Sequence, residues 1–395
     1  MIFNISRNYR SNIYYLYLIK LSKWFMLIMP VIALFYTENQ LTKFDIYLLQ
    51  AIYSVSVAVM EIPSGYLADI VGRKKTLILG AILGTAGFVI YSFSHGFTGF
   101  LTAEIILGLG GSFISGADSA MLFDSLASLR RKHRYLQFEG RLIAIGSFAE
   151  TIAAFCGGVI AAFLSYRSVY VAQTFVAALA IPAALLLVEP PRDKTAEHPG
   201  FRHILSVCKN SILVNRKLAS TIFLSSITGV ATLCMAWTSQ IYFVAHKLTE
   251  LTITPLWIAL NLTVAVVSAC SAATHRFLGK TVSLLLVTVF IPAAYILLGI
   301  LPFLGGITIL FLFYAVRGYA TPVLKDLVNQ NCDSSVRATV LSIRNLIIRL
   351  SFAILGPFIG WVAELSTLAT ALASAGVLLL LLSVTSTIFL LRHNS

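Results

Sequence analysis

Charged side chains are scarce: Asp, Glu, Lys and Arg make up only 11% of the 395 residues, against roughly a quarter in soluble domains. A chain so poor in polar surface cannot coat itself in water, which excludes an ordinary soluble protein. Cysteine is sparse too. Its five positions, Cys156, Cys208, Cys234, Cys270 and Cys332, are isolated and form no C-x-x-C pair, so neither a disulfide framework nor a metal site is indicated and they read as packing residues. The signatures H-E-x-x-H, G-x-S-x-G and the P-loop are missing, which argues against a membrane enzyme such as a lipid-modifying transferase. Acids are the rarer sign, 16 Asp and Glu against 29 Lys and Arg, for a formal net charge of +13. The cations sit in connections between apolar runs and not on an aromatic-laced face, so nucleic acid is not the expected partner.

What fills the chain is hydrocarbon, 58% of the residues, in runs of about 20 residues, the length that crosses a bilayer core as a helix. Windows fall at Ile13 to Thr37, Phe44 to Leu67, Thr76 to Phe93, Phe97 to Phe123, Leu142 to Leu164 and Val169 to Val188. A second set falls at Leu218 to Ala245, Ile253 to Ala273, Val282 to Pro302, Ile307 to Leu324, Val340 to Val362 and Leu368 to Leu391. The first window follows Arg7 and Arg10 but is too long for a signal peptide and has no A-x-A-like exit, so it reads as a span. The sequence predicts an all-α membrane protein of about twelve transmembrane helices. Paired prolines, charges and an amphipathic piece from Phe201 to Leu213 mark a linker over residues 191–216, between six-helix bundles at 1–190 and 217–395.

Short loops on one side carry Arg73, Lys74, Lys75, Arg130, Arg131, Lys132, Arg134, Arg276 and Lys280, whereas the other side receives Lys43, Arg167 and Lys247. Positive charge marks the cytoplasmic side, so both termini are expected there. The halves also resemble each other. "GADSAMLFDSL" from Gly116 lies on "GYATPVLKDLV" from Gly318, matching Asp124 with Asp326, and "GYLADIVGRKKTL" from Gly65 lies on "AATHRFLGKTVSL" from Ala272, matching Gly72 with Gly279. Two matches in the same order, with nearly the same offset, argue for pseudo-symmetric halves.

The stretch from Gly65 sets an acid, Asp69, before Gly72, Arg73, Lys74 and Lys75. A positive-inside loop explains the cations but not the acid or the glycine spacing. G-x-L-A-D-x-x-G-R-K between the second and third of twelve helices resembles the signature loop of the major facilitator superfamily, and the likeness covers essentially the whole chain. The resemblance implies that Asp69 faces a helix start of the opposite half, here near Ser335 to Thr339, and that Arg73 pairs with Asp124. A helix start carries about half a positive charge and attracts an anion, so these contacts would latch the inner side. Glu61, two turns before Asp69 on the same face, would extend that gate.

An ionisable group at a helix centre costs about 2.5 to 3.5 kcal/mol on insertion scales, so each needs a partner, a wet cavity or a purpose. Glu150, Arg317 and Arg349 lie near the middles of the fifth, tenth and eleventh spans and are the first candidates for a substrate or coupling site. A structural ion pair is the alternative reading. Asp118 lies closer to the inner face, as do Lys20 and Lys23, which are expected to snorkel. Glu104 opens "EIILGLGGS", which resembles a fourth-helix motif of family exporters that normally begins with arginine. The arginine's coupling role therefore does not transfer, and Glu104 takes a proton only where removal from water favours its neutral form. The exporter pattern G-P-x-x-G-G is reduced to "AAFCGG" ending at Gly158, with a better copy, "GPFIGW", from Gly356. Trp237, Gln240, Asn261 and Tyr319 offer stacking and hydrogen bonding in a cavity, whereas Tyr242 reads as part of an interfacial belt.

The resemblance implies a secondary active transporter of a small organic solute, coupled to protons through Glu150, Glu104 or Asp118, monomeric and without cofactor or metal. Likeness to bacterial exporters implies efflux of a drug-like or metabolite compound across the inner (cytoplasmic) membrane. Uptake of an organic anion or nutrient is the alternative, since two central arginines face one central acid. A non-transporting membrane sensor is the reading from another class.

Overall fold

The computed structural model describes residues 2–190, 209–332 and 336–392. In a hydrocarbon medium every backbone N–H and C=O must be satisfied within the chain, and the helix is the local solution. The described residues are accordingly helical almost throughout. In order they form α1 (Ile2–Trp24), α2 (Ile32–Glu38), α3 (Lys43–Ile70), α4 (Arg73–Phe93), α5 (Gly96–Ser128), α6 (Tyr135–Phe163), α7 (Tyr166–Ala178) and α8 (Ala180–Leu186). Then follow α9 (Arg216–Ala245), α10 (Glu250–Ala269), α11 (Ser271–Leu285), α12 (Ile291–Ile300), α13 (Phe303–Gln330), α14 (Arg337–Leu365) and α15 (Leu368–Arg392).

Among the described residues ten helical stretches are long and apolar enough to cross a membrane, against about twelve expected. The windows outside those ten are the first and the fifth. The first is not one rod: α1 stops at Trp24 and the chain turns before restarting at Ile32. Pro30, which lacks an N–H and clashes with the carbonyl four residues back, sits in that turn. In α6 the stretch Phe148–Phe163 is a shorter apolar helix, with Glu150 inside it. Pro182 acts as Pro30 does at the join of α7 and α8, and Pro292 follows a π-turn at Leu286–Phe290.

The chain divides into two compact units. The first comprises Met1–Leu41, Ile52–Thr195 and Leu248–Pro255; the second comprises Thr42–Ala51, Ala196–Lys247 and Leu256–Ser395. In the first unit Leu16 and Ile19 of α1, Leu77 and Ala81 of α4, Met121 and Leu122 of α5 and Ala184 of α8 form a buried core. In the second, Leu218 and Ile222 of α9 pack with Val328 of α13 and Val340 of α14. Most of the expected linker lies outside the described residues, as does Ser335.

The repeated glycines occupy equivalent places. A Cβ on Gly116 of α5 would stand 3.0 Å from Ser64 Oγ of α3, and one on Gly318 of α13 would stand 2.7 Å from the Val264 carbonyl of α10. Each unit thus brings its fourth span against its second at a residue with no side chain. Gly72 (φ 120°) and Gly279 (φ 70°) both adopt the left-handed region, which other residues enter only at a cost. Gly72 precedes α4 and Gly279 breaks the helical path inside α11.

Candidate functional site

In the first unit the acids within the spans are each held by named partners. Glu104 of α5 is buried, and its Oε1 accepts from the Tyr91 hydroxyl at 2.6 Å and the Tyr36 hydroxyl at 3.0 Å. Phe35, Phe100 and Tyr170 complete an aromatic shell, with the Tyr91 and Phe100 rings stacked at 5.2 Å. Arg167 of α7 closes it above: its guanidinium lies 5.4 Å over the Phe35 ring and donates to the Ser92 and Ser94 carbonyls at the end of α4, at 3.0 and 2.9 Å. A cation there meets the negative end of the helix. Expected only as an outer-loop charge, Arg167 is a structural tie between helices.

Asp118 accepts from Lys20 Nζ at 2.8 Å and from the Ser119 amide at 2.7 Å. Lys23 Nζ reaches the Gly111 carbonyl at 3.3 Å. The expectation that these lysines snorkel is corrected: both turn onto α5, where a carboxylate and a carbonyl meet them. Glu150 of α6 is half-buried among the first unit's residues.

At the start of α4 the geometry is specific. Arg73 Nη1 donates to the Asp124 carboxylate and, at 2.5 Å, to the Ala120 carbonyl. Glu189 receives the Arg73 and Lys74 amides on its two oxygens at 2.9 and 2.7 Å. These are orphan donors of the helix start, and a carboxylate there also complements the helix dipole. Sequence reasoning missed Glu189 because its partner lies 116 positions away. Glu61 and Gly65 sit in α3, whose Ser64 hydroxyl donates to the Glu61 carbonyl at 3.1 Å. The side chain of Asp69 lies outside the described residues.

The second unit treats its charges differently. Arg317 of α13 is half-buried, with its guanidinium 5.3 Å from the centre of the Tyr314 ring. The Tyr314 hydroxyl meets Ser239 Oγ at 3.1 Å. Arg344 of α14 donates to Ser225 Oγ at 2.5 Å and Asn345 Oδ1 at 3.2 Å, a contact the sequence did not suggest. Arg349 is half-buried one and a half turns further on. Trp237 is half-buried and Gln240 buried on α9. Asn261 bonds back to the Trp257 carbonyl at 2.9 Å, so it serves its own helix.

Tyr319 is buried and engaged. Its hydroxyl contacts His275 Nδ1 at 2.9 Å and Ser283 Oγ, and Ser283 Oγ donates to the Gly279 carbonyl at 2.6 Å. That fixes the kink in α11 to α13. Tyr242, expected in an interfacial belt, is instead 3% exposed and stacked against Phe303, because α9 is the most enclosed helix stretch of those that can cross.

The chain has relatives among known proteins. It is 23% identical over 204 residues to an uncharacterized MFS-type transporter of Methanocaldococcus jannaschii, covering 51% of this chain and 52% of that protein. Against the quinolone resistance protein NorA of Staphylococcus aureus it is 22% identical over 178 residues, 45% of this chain and 44% of NorA. The drug efflux pump JefA of Mycobacterium tuberculosis is 27% identical over 141 residues, 36% of this chain and 27% of JefA. The matches span about half the length of these relatives or less. Among solved structures, the nucleoside transporter NupG superposes with a TM-score of 0.75 over 96% of this chain and 98% of NupG at 12% identity. A bacterial homolog of the human lysosomal transporter Spinster does so with a TM-score of 0.71 over 97% and 95% at 17% identity. At such identities these likenesses speak of fold. The sequence profile of the Major Facilitator Superfamily matches residues 21–357, and the chain belongs to that family.

Proposed function

We propose that this integral membrane protein is a secondary active transporter that exports a small organic solute by alternating access, in exchange for protons. The observation that carries the reading is the retention of ionisable side chains inside otherwise apolar spans, Glu104, Asp118 and Glu150 in the first unit and Arg317 and Arg349 in the second. Such groups are expensive in lipid and mark pathways or relays. Of the acids, Glu150 is the leading proton carrier, half-buried near the middle of the fifth span. Movement of one charge through 100 mV is worth about 2.3 kcal/mol, enough to drive efflux. Efflux is favoured over uptake by the likeness to the drug efflux pump JefA and the quinolone resistance protein NorA.

Gating falls to the inner ends of the helices. Gly72 lets the chain turn between α3 and α4 and Arg73 is held to Asp124 there, while Glu61, Gly65 and Asp69 belong to the end of α3 that leads into this turn. The reading is tested by proteoliposome flux of a drug and metabolite panel with and without an imposed pH gradient. Gradient-driven flux is expected in the wild type and lost in Glu150→Gln; undiminished flux in that variant overturns the coupling assignment.

A further inference from the structure

The arginines of the second unit are placed as a site for an anion. Arg317, Arg344 and Arg349 all lie within spans, and the ion pairs of Lys20 with Asp118 and of Arg73 with Asp124 lie in the first unit. Among the described acids of the second unit, Asp326 accepts from Gln330 of its own helix at 2.6 Å, Glu364 accepts from the Lys43 amide at 2.9 Å, and Asp45 accepts from the Thr42 amide at 3.0 Å. Arg344 is satisfied by neutral oxygens, those of Ser225 and Asn345. Arg317 differs from it. Its guanidinium rests on the face of Tyr314, and Tyr314 is in turn fixed to Ser239 of α9. The ring fixes the guanidinium and the Tyr314 hydroxyl engages one of its five N–H donors, which leaves the rest of the fork for other acceptors. Those donors form a planar fork that fits two oxygens of one oxyanion.

Resting on the reading that the chain binds a small organic solute, we infer that the solute carries an oxyanion, a carboxylate or a phosphate, and that Arg317 on its Tyr314 platform grips it. The aromatic partner makes the grip directional, since only the edge of the guanidinium points away from the ring. A neutral or cationic solute of equal size leaves that edge without an acceptor.

The test is calorimetric binding to the purified full chain in detergent of four naphthalene probes of matched size: naphthoate, naphthyl phosphate, naphthamide and naphthylmethylammonium. The two anions are expected to bind at least about tenfold more tightly than the amide or the ammonium probe, a difference of about 1.4 kcal/mol. Arg317→Gln is expected to erase the preference. Equal binding of all four, tighter binding of the ammonium probe, no binding of either anion at millimolar concentration, or a preference that survives in a normally melting Arg317→Gln protein overturns the inference. Should that variant not fold, Arg317→Lys decides, because it keeps the charge and loses the fork: naphthoate affinity falls several-fold if Arg317 holds the anion and stays at the wild-type value if it does not. Proton-driven flux is read separately, so an anion preference that persists while Glu150→Gln transports normally sinks the coupling scheme and not the anion site.

Discussion

The two units share a plan and differ in how they handle charge. Both bring a fourth span onto a second at a glycine, Gly116 and Gly318, and both turn through a left-handed glycine, Gly72 and Gly279. In the first unit the acids at and beyond that contact meet cations or phenols: Asp118 with Lys20, Asp124 with Arg73, Glu104 with two tyrosines. In the second, Asp326, the counterpart of Asp124, bonds to Gln330 one turn away, Arg317 rests on a ring and Arg344 on neutral oxygens. Duplicated backbone geometry therefore does not dictate duplicated electrostatics. Neutralised charge gives rigidity, and charge without a counterion gives a place for something else to bind.

This contrast is most easily broken by removing one acid. Asp118→Ala leaves the Lys20 ammonium, whose side chain is 15% exposed, without its carboxylate, and is expected to cost about 3–5 kcal/mol, the penalty for half of a buried pair. Thermal melting in detergent should show it, and the double variant Lys20→Met with Asp118→Leu should recover most of the loss. Arg317→Gln in the second unit forfeits a cation–π contact worth about 0.5–1 kcal/mol, so its melt should move far less. A large loss there would mean the guanidinium has a structural counterion after all.

Packing gives the next largest effect. A methyl on Gly157 of α6 would lie 1.9 Å from the Leu27 carbonyl oxygen, whereas one on Gly318 would lie 2.7 Å from that of Val264. Both alanine variants overpack against backbone and should lose about 1–3 kcal/mol, Gly157→Ala the more. Unfolding midpoints in the opposite order would show that α10 is the stiffer neighbour.

Glu104→Gln sharpens the electrostatic half of the comparison. Hydrogen bonds to a charged acceptor contribute about 1.5–3 kcal/mol against about 0.5–1.5 for neutral ones, so the loss should be about 1 kcal/mol, read by the same melt. Effects of similar size are expected at two caps, Ser165 on α7 and Asn215 on α9, whose side chains accept from the Ser168 and Leu218 amides. Each alanine substitution should cost about 1 kcal/mol. Equal values would show that local helix chemistry is the same in both units.

The spans were legible because a run of about 20 apolar residues has few other solutions, and the internal repeat was legible because its glycines stand where two backbones meet. Interruptions were harder to read. Pro30, Pro182 and Pro292 were visible, but whether a proline kinks, ends or merely starts a helix depends on which carbonyls its neighbours can satisfy. The site was legible mainly by residue type: costly charges were found from the sequence, and among their partners Asp124 was expected for Arg73 through the family resemblance, but the others were not. Tyr36 and Tyr91 around Glu104, Glu189 at the start of α4 and Ser225 beneath Arg344 are separated from their partners by long stretches of chain, and nothing in a hydropathy window encodes such a pairing.

Counting hydrogens around Tyr319 settles the state of a ring. Ser283 has one hydroxyl hydrogen and directs it at the Gly279 oxygen, so the contact between Ser283 and Tyr319 must carry the phenolic hydrogen, and the hydrogen between Tyr319 and His275 must come from Nδ1. In this arrangement the Nδ1 hydrogen of His275 is shared between the Tyr319 hydroxyl at 2.9 Å and Ser283 Oγ at 3.1 Å. Nitrogen chemical shifts of a histidine-labelled sample would reveal that assignment directly, without any transport assay.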